Sequence, residues 1–250
     1  MKISRLSLFA FALPLIAGVS FFAPRTFAAQ NCAITSGDLD AIAAAQNQGI
    51  AGELAARKEL LSRVIACAKD DAIALQKTLN STDVAPADKA LRAQLSGKLD
   101  EAAGYYDFEL GKVGDAGISG TQGIAKEVFA WRQSNYGVLA GQVQNFILWE
   151  QNQPLFQVAN DRLNQMRNIV GVLEQAGQNG DLQAALSAAE PLVRTANDEN
   201  AGARDALVRM LPPDQSLALI KHSLQSLSDA YTQFFNVSTI VQKLLATKPQ

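Results

Sequence analysis

Apolar side chains return every three or four residues along nearly the whole chain, and runs of strand-like alternation are hard to find. Proline and glycine clusters cut this pattern into about six helical stretches. The first opens near Thr35, which forms a capping box with Asp38. It carries Leu39 and Ile42, then Leu54, Leu61, Ile65, Ala68, Ala72, Leu75 and Leu79 on one stripe. The stripe weakens over Asn47 to Gly52, where Gly49 and Gly52 mark a candidate reversal. Pro86 suits the first turn of a second helix bearing Leu91, Leu95, Leu99, Ala102, Tyr106, Leu110 and Val113.

Glycine then falls on every third position from Gly111 to Gly123, which reads as a flexible helix-helix connector. Collagen needs many such triplets and abundant proline, and a phosphate loop needs a Gly-Lys-Ser/Thr ending, so neither is expected. A third stretch over residues 121–151 and a fourth over 154–176 follow, with Pro154 kinking or separating them. A fifth starts at Asp181 and is interrupted at Pro191, and a sixth begins after Pro212 and carries Leu217 to Leu244. Stripes of this kind must shelter against each other, and short connections favour antiparallel neighbours. The expected fold is all-α, an elongated up-and-down bundle of about six helices, with a helical solenoid as the alternative.

Residues 1–28 have the three-part pattern of a secretory signal peptide. Lys2 and Arg5 precede the uncharged Leu6 to Phe22 run, and Thr26-Phe27-Ala28 offers small residues for cleavage before Ala29. The rival is a retained anchor, but the run has 17 residues and is broken by Pro14 and Gly18. The expectation is an exported protein, periplasmic, cell-surface or secreted, whose residues 29–250 form one helical domain without a stable membrane span. The whole chain has 22 basic and 24 acidic residues; removal of Lys2, Arg5 and Arg25 leaves 19 and 24, a net charge of −5. No basic footprint for nucleic acid or anionic lipid results.

An exported setting lets Cys32 and Cys67 oxidise. A straight helix from residue 37 to 67 would separate its ends by about 45 Å, while bonded cysteines need Cα atoms within roughly 7 Å. A disulfide therefore requires the chain to reverse near Gly49, giving a disulfide-closed N-terminal hairpin. An unbroken helix with Cys67 as a small core residue is the alternative.

Candidate chemistry is sparse. His222 is the sole histidine, so no multi-histidine zinc site is available within one chain; no Ser-His or Cys-His signature surrounds it, and no cofactor motif is present. Asp100, Glu101 and the run Tyr105 to Glu109 read as a solvated acidic helix face. Between Arg132 and Asp161 the only charge is Glu150, amid ten Asn or Gln residues. Two readings compete for this segment. In one, Trp131, Tyr136, Phe146, Trp149, Glu150 and Phe156 form a partner or ligand surface. In the other, the segment is a central helix whose amides bond between helices, and the Gly137 to Gly141 small-xxx-small spacing marks a tight crossing.

Three functions follow in order: a non-enzymatic exported bundle with a protein partner or structural role; a small-molecule or sensory binding bundle; and a carboxylate-dependent hydrolase with two acids across a cleft.

Overall fold

The computed structural model describes residues 35–175 and 180–246. The signal-like segment, and Cys32 with it, lies outside the described residues. Helices α1 (Ser36–Gln46), α2 (Ile50–Ser81), α3 (Lys89–Val113), α4 (Ile118–Trp131), α5 (Gly137–Gln175), α6 (Gly180–Val208) and α7 (Pro213–Ala246) account for nearly all of them, with no strand among the described residues. A π-turn over Arg132–Tyr136 joins α4 to α5 without a break. Six helical rods result, as the hydrophobic period predicts.

Thr35 caps α1 through the expected box with Asp38. The chain reverses at Gly49, whose φ of 88° lies in the left-handed region that glycine enters without penalty. α1 then lies back along α2, where Arg63 of α2 pairs with Asp38.

The continuous rod α4–π–α5 is the spine. Its parts of 14, 5 and 39 residues give 58 in all, or about 87 Å at 1.5 Å per residue. The first half of the spine packs with α2 and α3, and the second half with α6 and α7. Neighbours in sequence run antiparallel: Lys69 meets Asp107 and Gln76 meets Ser96 between α2 and α3, while Gln153 meets Asn200 and Asn160 meets Asn197 between α5 and α6. Two three-helix sections thus stand in series on one shared helix.

The core follows that axis in three clusters. Ile65, Tyr106 and Val128 fill one end. Leu79, Leu95, Phe146, Trp149, Leu207 and Ile220 fill the middle, drawing on both sections. Phe156, Leu163, Leu186, Val193 and Phe234 fill the other end.

Two sequence expectations need correction. The glycine-rich connector shrinks to residues 114–117, because Gly111 lies inside α3 while Gly120 and Gly123 lie inside α4. A glycine every three residues weakens a helix but does not break one when flanking residues such as Val113, Ile124 and Val128 are buried. Pro154 does not separate two helices either. Packing of Phe156 and Ala159 against α6 and α7 offsets the roughly 3 kcal/mol that an interior proline costs. Pro191 is likewise carried inside α6.

α6 ends in a Schellman arrangement, with Met210 N–H donating to the Leu207 carbonyl at 3.1 Å and Leu211 N–H to Ala206 at 3.0 Å. Met210 occupies the left-handed position at φ 53°, where glycine is usual, and its side chain packs against the middle cluster. Pro213 then takes the first position of α7.

Candidate functional site

The amide-rich segment lies at the centre of the molecule, and four of its ten amides, those of Gln142, Asn145, Gln153 and Asn160, bond to other parts of the fold. Gln142 donates to the carbonyls of Met210 and Leu211 at 3.0 and 3.2 Å. Asn145 donates to the Pro213 carbonyl at 2.7 Å and to Ser216 Oγ at 3.0 Å. These bonds fasten the spine to the carbonyls of the α6–α7 turn and of the first residue of α7. Gly141 lets the backbones close on the same turn: a Cβ there would stand 2.8 Å from Pro213 Cβ. Further along, Gln153 and Asn200 exchange amide hydrogen bonds, as do Asn160 and Asn197.

Of the six residues proposed as an aromatic partner surface, Phe146, Trp149 and Phe156 do not serve one. They are 0%, 4% and 5% exposed and belong to the core. The Trp149 indole N–H is satisfied by the Asn200 carbonyl at 3.1 Å. Rings at helical spacing on a rod packed on several sides turn inward, because each buries a large apolar area.

Trp131 and Tyr136 have another setting. The π-turn between them brings residues five apart to one side, where an α-helix would rotate them well away from each other. Both rings meet the buried Tyr106 of α3 edge-on, at centroid distances of 5.4 and 6.0 Å. Tyr105 stacks on Trp131 at 3.9 Å. Arg132, inside the π-turn, donates to Asp71 of α2 at 2.7 Å and lies 5.1 Å over the Tyr136 ring. The guanidinium also draws on the Tyr106 hydroxyl, although neither that oxygen nor Arg132 Nη1 completes a good hydrogen bond. Burial first, then the Asp71 charge, push the Tyr136 phenol up to about 12. The cluster ties α2, α3 and the spine together, and Trp131 and Tyr136 also line an open cleft beside Lys98 and Glu101.

The acidic run on α3 divides instead of forming one solvated face. Asp107 and Phe108 are exposed, but Tyr106 and Glu109 are 0% and 3% exposed. Glu109 accepts from Lys112 at 2.7 Å while its second oxygen has no partner. The period of 3.6 places residues 102, 106, 109 and 113 on one inward stripe.

Glu150 is the remaining proposed site residue, 7% exposed. It lines a cleft of about 390 Å³ between the end of α2 and the spine, with Asp83 opposite. Its carboxyl is held above the usual carboxylate range, first by burial and next by the charge of Asp88, against a backbone hydrogen bond at Ala85 and the Arg204 charge. Arg204 itself is engaged by Asp88 at 2.7 Å. Sequence reasoning identified Glu150 as the segment's isolated charge, but Asp83 and the hydroxyls around it carry no pattern that links them to residue 150. Cys67 is half-buried on α2, on the helix that α1 folds against, and His222 is exposed on α7.

No known family model, curated protein or solved structure matches this chain. Among the described residues no helix is long and apolar enough to cross a membrane.

Proposed function

We propose that the protein is exported and acts as a non-enzymatic spacer, holding a protein partner at the cell envelope or outside the cell. One observation carries this reading: a single 58-residue helix is shared by two three-helix sections in series. Such a rod fixes a distance of about 87 Å between its ends, and the Asp71–Arg132 pair and the Gln142 and Asn145 clamps stiffen its middle. Export is supported by the signal-like pattern of residues 1–28. A Cys32–Cys67 bond belongs to the same proposal: the reversal at Gly49 and the Asp38–Arg63 contact return the start of α1 toward the stretch of α2 that holds Cys67.

Two experiments test it. A photo-crosslinking residue at Val158 or Val172, both exposed on α5, should give a discrete adduct in the envelope or medium fraction of the native host. Absence of any adduct, or full-length protein confined to the cytosol, overturns the reading. Titration of the denatured, unreduced protein should find no free thiol, and two reactive thiols would dismiss the disulfide.

A further inference from the structure

The cleft beside Glu150 is chemically one-sided. Thr78, Ser81, Thr82 and Asp83 of the α2 end line it with Glu150, Gln151 and Pro154 of the spine. All three hydroxyl groups donate their single hydrogen inward: Thr78 to the Ala74 carbonyl at 3.0 Å, Ser81 and Thr82 to the Thr78 carbonyl at 2.9 and 3.0 Å. Only their lone pairs remain for anything in the cleft. Glu150, more than nine-tenths buried, lines it with Oε1 lacking any hydrogen-bond partner. Pro154 has no N–H, so the Glu150 carbonyl also lacks the donor that a helix normally supplies from four residues on. The last turn of α2 holds no basic residue to balance the negative end of its dipole. No Lys or Arg lines the cleft; Arg92 is engaged by the Thr82 carbonyl at 3.2 Å and Arg204 by Asp88.

We infer that this cleft binds a small organic cation through a primary ammonium group. An ammonium brings the positive charge that the walls lack and three N–H donors where the only side-chain N–H group of the lining is the Gln151 amide, with Glu150 and Asp83 as counter-charges and the hydroxyl oxygens as acceptors. The roughly 390 Å³ of space accommodates a ligand of several heavy atoms. A transition-metal ion fits less well, because no group of three His, Cys, Asp or Glu side chains that could hold one occurs among the described residues. Proton and ligand compete for Glu150, whose carboxyl is pushed upward by burial and by Asp88 and Asp83, with Ala85 and Arg204 opposing. Acidification therefore weakens binding. The inference stands apart from the spacer reading and holds wherever the protein is located.

Calorimetric titration of the full chain with 1,4-diaminobutane tests it, alongside calcium chloride and tetramethylammonium chloride. Saturable diamine binding is expected. Glu150→Gln, which keeps shape and volume, should weaken it by about tenfold or more, as should replacing the diamine with tetramethylammonium, which has no N–H donor. Asp83→Asn, at an exposed position, should weaken it several-fold and decides the matter if the Glu150→Gln variant fails to fold by circular dichroism. Absence of saturable diamine binding, unchanged affinity in the folded variants, equal binding of tetramethylammonium, or binding of calcium in place of the diamine would each overturn the inference.

Discussion

A methyl group added at Gly141 would stand 2.8 Å from Pro213 Cβ and 2.9 Å from its Cγ. A proline ring cannot swing aside, so Gly141→Ala forces the spine away from the α6–α7 turn. It should destabilise by about 1–3 kcal/mol, read as a lower denaturant midpoint with an unchanged slope. Gly97→Ala is the matched control. That site on α3 has open space around the new Cβ, and the helix should gain about 0.5–1 kcal/mol. Arg132 and Asp71 are 32% and 10% exposed, a partly buried pair whose single-partner loss leaves a charge without its counter-ion. Asp71→Ala should cost about 2–3 kcal/mol, below the range for a fully buried pair. Pairing it with Arg132→Met in a double-mutant cycle should recover part of that loss. Glu150 runs the other way with pH. Its carboxyl titrates above the ordinary range in the folded state, so its contribution to stability is present at low pH and fades as pH rises through that raised value. Thermal melts of Glu150→Gln should therefore exceed wild type most at pH 7 to 8, by roughly a few degrees, and converge near pH ~4.

α1 is held at its start by a charged group. Backbone and side-chain hydrogen bonds from Thr35, together with Arg63, hold Asp38 down to about 2. A lowered carboxylate stabilises above its unfolded value and loses that contribution as pH falls through the folded one. Amide exchange in α1 should accelerate between pH ~4 and ~2 relative to the middle of α2, after correction for intrinsic rates. Equal protection throughout would show that the cap does not hold α1. At this scale the sequence was legible where a signal was local. The Thr35–Asp38 box, the Gly49 reversal and the stripes of α2, α3 and α7 needed only neighbouring residues to declare themselves. The Gly111–Gly123 run misled, and Pro154 left one long helix and two separate ones both open, because each is a local helix weakener overruled by packing, from Phe156 at Pro154 and from Val113 and Val128 at the glycines. The π-turn had no sequence signature. It forms where Trp131 and Tyr136 both reach Tyr106, a partner on another helix.

On the scale of the whole molecule the continuity of the spine is the testable property. Fluorophores attached through unnatural residues at the exposed positions Phe129 and Val172 should report one narrow distance near 65 Å, from about 1.5 Å per residue along an unbroken rod. A broad or much shorter distribution would mean that the helix breaks at Pro154 or at the π-turn, and the spacer reading would fall with it. Chain chemistry alone determined that helices form, about how many, where most of them start, and that their stripes must be buried together, because period, caps and breakers act within a few residues. It also marked residues 133–160 as unusual, but could not tell a surface from a core: the same rings and amides serve either, and only contact with α6 and α7 makes Phe146, Trp149 and Phe156 interior. The cleft was decided by tertiary structure alone. Asp83 and Glu150 are far apart along the chain, and their approach depends on how α2 ends against the spine, a distance that no local pattern encodes.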